Sequence, residues 1–333
     1  MTDPILVEVV RGQLVESRHR GAVAIADADG APVLSVGDGT MPVFPRSAVK
    51  ALQALPLVES GAADRYGFGN EELALACASH SGEPGHVEVV ARMLAKAGLD
   101  QSALRCGAHW PISQQAAHEL ARTGTPSALH NNCSGKHAGF LCLARSMGVD
   151  YVDYWRPQHP VQLRVRAVLE DMTGAVLSAE HCAVDGCSVP TWAVPLQNLA
   201  HAFAKFGTGH GLAPARAVAA VRLRAACAQK PWHVAGTGRF GTDIMRLLGE
   251  RVFVKTGAEG VFCGALPGRG LGIAIKCDDG AGRAAEAVMA AVIARFLPLG
   301  DAERAALARF AHPVQRNWNG IEVGALRVTE ALA

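Results

Sequence analysis

The feature that most restricts the fold of this chain is where its two hydrophobic periodicities fall. Short alternating or continuous apolar runs, the mark of strands, occur towards the two ends, while a period near 3.6, the mark of helices, fills the long middle. Residues 5–10 read as a strand, and 21–27 with 33–36 read as a hairpin turning at Ala28-Asp29-Gly30-Ala31. Helical spacing covers 71–78, 85–97, 113–123, 136–147, 160–173, 195–206 and 213–228. Strands return at 251–255, 261–266 and 271–277, followed by an alanine-rich helix over 281–296 and a last strand over 321–328. The expected fold is mixed α/β (α+β), with a mainly antiparallel sheet built from both termini and flanked by helices. One domain spans 1–333. Its sheet regions, 1–60 and 235–333, enclose a mostly helical region, 61–234, which is an insertion and not an independent domain.

Half of the 333 residues are apolar and 19% are charged, ample for a large core. A net charge of +2 gives no reason to expect a nucleic-acid or polyanion partner. No apolar run reaches the ~18 residues of a membrane span. The nine cysteines, Cys77, Cys106, Cys133, Cys142, Cys182, Cys187, Cys227, Cys263 and Cys277, are an odd count. The start, Met1-Thr2-Asp3-Pro4, lacks the basic and apolar segments of a secretory leader. A reduced, cytoplasmic setting is expected, with free or metal-binding thiols and no disulfide framework.

Chemistry first suggests itself at Arg46-Ser47-Ala48-Val49-Lys50, where a serine and a lysine stand three apart as a helix is expected to begin. Residues so spaced share a helical face, so hydroxyl and amine can meet without help from another segment. A serine is inert at neutral pH unless a base takes its proton, and a lysine serves only if burial or a neighbouring cation keeps it neutral. The second lysine expected on that ground is Lys255, in Lys255-Thr256-Gly257 after an apolar run. It pairs with Ser79 of Ala78-Ser79-His80-Ser81-Gly82-Glu83, giving two serine–lysine pairs. The plainer alternative for Ser47 is a helix N-cap beside a solvated Lys50, and for Ser79 a turn. Pro56 is expected to disturb the first helix.

Two further loops are rich in metal-binding types. Asn131-Asn132-Cys133-Ser134-Gly135-Lys136-His137 holds a thiol, an amine and an imidazole, and Asp185-Gly186-Cys187 holds a second thiol beside a carboxylate. Cysteine and histidine with a distant cysteine can bind zinc, and a neutral lysine can fill the remaining position. Without a Cys-x-x-Cys pair, buried filler residues are an equally physical reading.

Taken together, these stretches with Ala235-Gly236-Thr237-Gly238-Arg239 and Lys255-Thr256-Gly257-Ala258-Glu259-Gly260 resemble the rhizobial-type L-asparaginase family, also called asparaginase II, over nearly the whole chain. The resemblance implies a fold like that of serine β-lactamases and penicillin-binding proteins, hydrolysis of L-asparagine to aspartate and ammonia, low glutaminase activity and a homodimer. It implies catalytic roles for Ser47, Lys50, Ser79 and Lys255. It also implies zinc on Cys133, Lys136 and Cys187, with His137 and Asp185 nearby, as an aid to substrate placement. Arg46 is available for the substrate carboxylate, Asp185 or Glu259 for its amine, and His80, Asn132 and Gly257 complete the substrate-binding set. Members can carry a further cysteine where this chain has Phe240.

The implied mechanism is attack by Ser47 on the side-chain amide, with Ser79 relaying protons and backbone amides near Ser47 and after Lys255 holding the oxyanion. The rivals are a serine β-lactamase or peptidase, which lacks support from any Ser-Asp-Asn element, and a non-catalytic zinc-binding or ligand-sensing protein.

Overall fold

A computed structural model describes residues 2–332. They form two compact units.

The first unit takes the described residues up to Ala48, then Val194–Thr208, then those from Arg251 onward. Its centre is a sheet of β1 (Ile5–Arg11), β2 (Leu14–Asp27), β3 (Pro32–Val36), β8 (Phe253–Thr256), β9 (Val261–Leu266), β10 (Leu271–Cys277), β11 (Val314–Arg316) and β12 (Glu322–Val328). The order is β11-β12-β1-β2-β10-β9-β8, with β3 also on β2, and every pairing is antiparallel. The expected sheet from both termini is the one observed. Its midpoint is β2, longer than its apolar half predicts. Leu14–Arg20 pair with β1, and Gly21–Asp27 pair with β10 in a register that sets Ile25 opposite Ile273. The missed half carries Glu16, Arg18 and Arg20, whose alternation with Val15 and Ser17 leaves it largely exposed and hides it from a hydrophobic reading.

Three helices belong to this unit: α9 (Leu196–Thr208), α13 (Gly282–Phe296) and α14 (Asp301–Ala311). Helix α9 packs on β2, β9 and β10. At Gly272 the contact is backbone to backbone, because a Cβ there would lie 2.0 Å from Ala200 O and 2.2 Å from Ala204 N. Phe203 and Phe206 of this helix cluster with Phe253. All three are nearly fully buried, worth about 1.5–3 kcal/mol each. The two-residue strands β4 (Pro42–Val43) and β7 (Val194–Pro195) also pair here.

The second unit, Val49–Ala193 with Gly209–Glu250, is mostly helical. It contains α1 (Lys50–Gln53), α2 (Leu55–Glu59), α3 (Ala62–Arg65), α4 (Asn70–Ala76), α5 (Pro84–Lys96), α6 (Gln114–Thr123), α7 (Ser134–Met147), α8 (Pro160–Thr173), α10 (Pro214–Gln229), α11 (Pro231–Ala235) and α12 (Phe240–Leu248). Strands β5 (Cys182–Val184) and β6 (Pro190–Trp192) form an antiparallel hairpin. Helix α7 is buried on all sides from Ser134 to Ala144, in contact with α2, α3, α4, α5 and α8, so Lys136 and His137 are interior residues. It meets α4 at Gly135, where a Cβ would stand 2.3 Å from Leu75 O.

One local expectation is corrected. Ser47 does not begin an α-helix. It lies in a single 3-10 turn, Arg46–Val49, and α1 starts at Lys50 with no side-chain cap. Arg46 takes a φ of 51°, which an α-helix does not admit. Pro56 acts as expected by splitting the helix, sitting in the first turn of α2, where its missing N–H costs nothing.

All nine cysteines are free. No helix among the described residues is long and apolar enough to cross a membrane.

Candidate active site

In the helical unit, Lys50 is completely buried. Its Nζ lies 2.7 Å from Ala78 O, 3.0 Å from Ser79 Oγ and 3.3 Å from Asn132 O. All three partners are neutral oxygens, two of them carbonyls that can only accept. Ser79 is held by its own backbone, whose N–H donates to Val234 O at 2.9 Å. The structure thus sets Ser79 against Lys50, a contact across 29 residues. In the sheet unit, Lys255 is buried on β8 and donates to Thr256 O at 2.9 Å.

His80 follows Ser79 and is wholly buried. Its Nδ1 accepts from Gly82 N–H at 3.1 Å, so Nε2 carries the proton and donates to Ser134 Oγ at 2.9 Å. Ser134 in turn donates to Leu129 O at 2.9 Å. Both ring nitrogens are therefore engaged inside the protein. Burial above all, then repulsion from His86 and Lys50 in their protonated forms, pushes His80 well below the ordinary imidazole range. It braces the loop before α7 as a neutral ring.

The second cluster sits at the start of α7. Lys136 Nζ donates to Cys187 Sγ at 3.0 Å, and Cys133 Sγ donates to Asn132 Oδ1 at 3.2 Å while also within hydrogen-bond reach of the Cys187 sulfur. Asp185 Oδ2 is 3.7 Å from Cys187 Sγ. The bond from Cys133 and, against the cost of burial, the Lys136 charge bring Cys187 down to about 5. Its bond to Cys187, together with burial, pushes Cys133 up to about 12. Burial opposes the Lys136 ammonium, but Cys187, Cys133 and Asp185 outweigh it and raise the amine above its usual range. A thiolate and an ammonium face each other here.

Zinc implied at this cluster can be weighed against the donors present. Cys187 is in contact with both the Lys136 amine and the Cys133 thiol, types that zinc accepts once deprotonated. Among the described residues no three or more His, Cys, Asp or Glu gather as a metal site, so the set fits only with Lys136 as the third donor. His137 is buried beside them in sequence, with Nδ1 2.6 Å from Tyr154 OH and Nε2 without a hydrogen-bond partner.

The sheet unit places the remaining expected residues. Gly257 lies against the turn that carries Ser47, since a Cβ there would be 2.7 Å from Pro45 O. Of the amides expected to hold an oxyanion, Ala48 N–H donates to Pro45 O at 2.9 Å and Gly257 N–H to Val261 O at 2.7 Å, so both are already committed. Glu259 is exposed, and its backbone carbonyl accepts from Lys276 Nζ at 2.7 Å.

Positive φ angles occur at three non-glycine residues among those described: Arg46 (51°), Ser188 (77°) and Glu259 (55°). Arg46 and Ser188 adjoin Ser47 and Cys187, and Glu259 closes the Lys-Thr-Gly-Ala-Glu-Gly run. Strain gathered beside candidate site residues is a signal that residue types alone do not carry. The sequence reading also passed over Asn131, whose side chain accepts from Cys133 N–H and donates to Cys106 O, both at 2.8 Å.

A family model described as L-asparaginase II matches residues 7–328. The chain belongs to the L-asparaginase II family. It is accordingly an asparaginase-type hydrolase, an enzyme acting on amides. Among curated proteins none matches this family member. Among solved structures it is similar to a β-lactamase from Mycobacterium bovis, at 15% identity and a TM-score of 0.42, over 84% of this chain and 95% of that one. It is also similar to Mglu, at 16% identity and a TM-score of 0.40, over 90% of this chain and 73% of that one.

Proposed function

We propose that this family member is an L-asparagine amidohydrolase that forms aspartate and ammonia through an acyl-serine intermediate, with glutamine turned over less. The observation that carries the reading is the surroundings of Lys50. A neutral amine has two N–H groups and one lone pair. Nζ donates to Ala78 O, Asn132 O and Ser79 Oγ, and because the two carbonyls can only accept, loss of one proton from the amine would turn the freed lone pair to the Ser79 hydroxyl. Ser79 Oγ is the one partner of the three that carries a proton of its own, so it is the group with which Lys50 can exchange one.

In the reaction, Ser47 attacks the side-chain amide carbon and its proton passes through Ser79 to Lys50. That proton then goes to the departing nitrogen, ammonia leaves, and water clears the ester by the same route in reverse. Lys255 is the second amine of the site. Arg46 meets the substrate carboxylate and Asp185 or Glu259 its amine, with His80, Asn132 and Gly257 shaping the pocket. Zinc would be held by Cys133, Lys136 and Cys187, and when bound it supplies a fixed positive centre that orients the substrate. The active form is proposed to be a cytoplasmic homodimer.

Ammonia release from asparagine and glutamine, measured side by side on the purified protein, tests the reading. Asparagine turnover above glutamine turnover, abolished by Ser47→Ala with the fold retained, is the expected result. Hydrolysis of a chromogenic β-lactam without ammonia from asparagine would overturn it.

A further inference from the structure

The segment between α5 and α6 reaches both candidate loops. Its Ser113 N–H donates to Ser81 O at 3.1 Å, and Pro111 packs so closely on Gly82 that a Cβ there would lie 3.1 Å from Pro111 Cα. Between these contacts and the Cys133 loop stands His109. Its Nε2 accepts from Asn132 N–H at 3.0 Å, so Nδ1 bears the proton and donates to Trp110 O at 2.7 Å.

Asn132 is consequently pinned at three atoms: its N–H by His109, its side-chain Oδ1 by the Cys133 thiol, and its carbonyl by Lys50. The Lys50 contact, at 3.3 Å, is the longest of the three that Lys50 makes, and so the first to be lost if Asn132 turns. Without His109, the Asn132 N–H would have to seek water, and turning towards it would carry the carbonyl away from Nζ. Lys50 would then lose one of the two carbonyl acceptors that hold Nζ beside Ser79 Oγ.

We infer that His109 is a positioning residue for the reaction, holding the Asn132 carbonyl against Lys50. The inference rests on the serine–lysine reading above. It assigns His109 no contact with substrate, and it needs only an acceptor at the Nε2 position.

His109→Leu removes the acceptor, and His109→Gln restores one at a similar reach. The leucine variant should lose about ten- to a hundredfold in kcat with a smaller change in KM, the size expected when a reacting group is displaced by about an ångström. The glutamine variant should recover to within about threefold of the unaltered protein. Overturning results are a leucine variant within twofold of the unaltered protein, a rise in KM alone, or a folded glutamine variant as slow as the leucine one. If the leucine variant does not fold, His109→Ala, which also removes the acceptor, takes its place under the same criteria.

A fluorophosphonate that labels activated serines separates the two levels. An unaltered protein that takes the label but releases no ammonia from asparagine sinks the substrate reading alone, and the labelling rates of the two variants then carry the test. A protein that does neither removes the serine reading and the inference with it.

Discussion

Two buried lysines of the helical unit, Lys50 and Lys136, show how little the residue type decides. Each is at most 2% exposed, and each stands beside Asn132 or its neighbour in sequence. Lys136 faces a sulfur whose proton is easily lost, and the two settle as an ion pair. Lys50 is offered only neutral oxygens. An ion pair of this kind holds structure, or releases its proton to solvent when a metal takes its place. An amine among neutral acceptors is suited to exchange a proton with a hydroxyl. The partner's chemistry, not the burial common to both, separates the roles.

The sharpest break of this contrast is Lys50→Met. It should lower ammonia release about 10²–10⁴-fold, the usual contribution of a positioned base, while the thermal midpoint moves only a few degrees. A variant retaining a tenth of the activity would show that Lys50 is a structural amine like its counterpart. Next in size is Lys136→Met, which leaves the Cys187 thiolate buried without its cation. The expected loss is about 3 kcal/mol in urea unfolding, as for a buried pair stripped of one partner. Unchanged stability would mean that the sulfur protonates at little cost and the pairing is weak.

A third lysine sharpens the comparison from the surface. Lys96, with Arg92, bonds the buried Glu72 carboxylate at 2.8 and 3.0 Å. Burial pushes Glu72 up, but Lys96 and Arg92 more than reverse this and bring it down to about 2. Because the folded value lies below the unfolded one, the stabilisation is full above about pH 4.5 and is lost as pH falls towards 2. Both cations are partly solvated, so the contribution is about 1–2 kcal/mol. Unfolding of Glu72→Gln beside the unaltered protein from pH 7 to 2 should show that gap close in acid; a gap independent of pH would refute the assignment.

The strand and helix order was legible because burial leaves a periodic trace. The trace failed where an element buries little. Helix α14 buries only Leu307 and Ala311, and its thin stripe gave no helical reading. At the site, the motifs around Ser47, Ser79, Cys133 and Lys255 were visible as clusters of reactive types. Which hydroxyl faces Lys50 was not visible, because it depends on where α4 ends relative to α1. Nor was the turn at Arg46, since a positive φ at a non-glycine residue is imposed by its surroundings. His109 escaped notice for a similar reason. A lone histidine in an irregular segment carries no pattern, and only the placement of Asn132 gives it a partner.

Gly135 has a consequence that extends past packing. It stands one residue before Lys136, and Leu75 stands four before Ser79, so the two reactive neighbourhoods share a spacer of zero thickness. The Leu75 backbone itself is what a Cβ at Gly135 would meet first, with the Leu75 side chain close behind it. Even one added methyl group at Gly135 would meet that backbone, force the helices to shift and disturb both lysines at once.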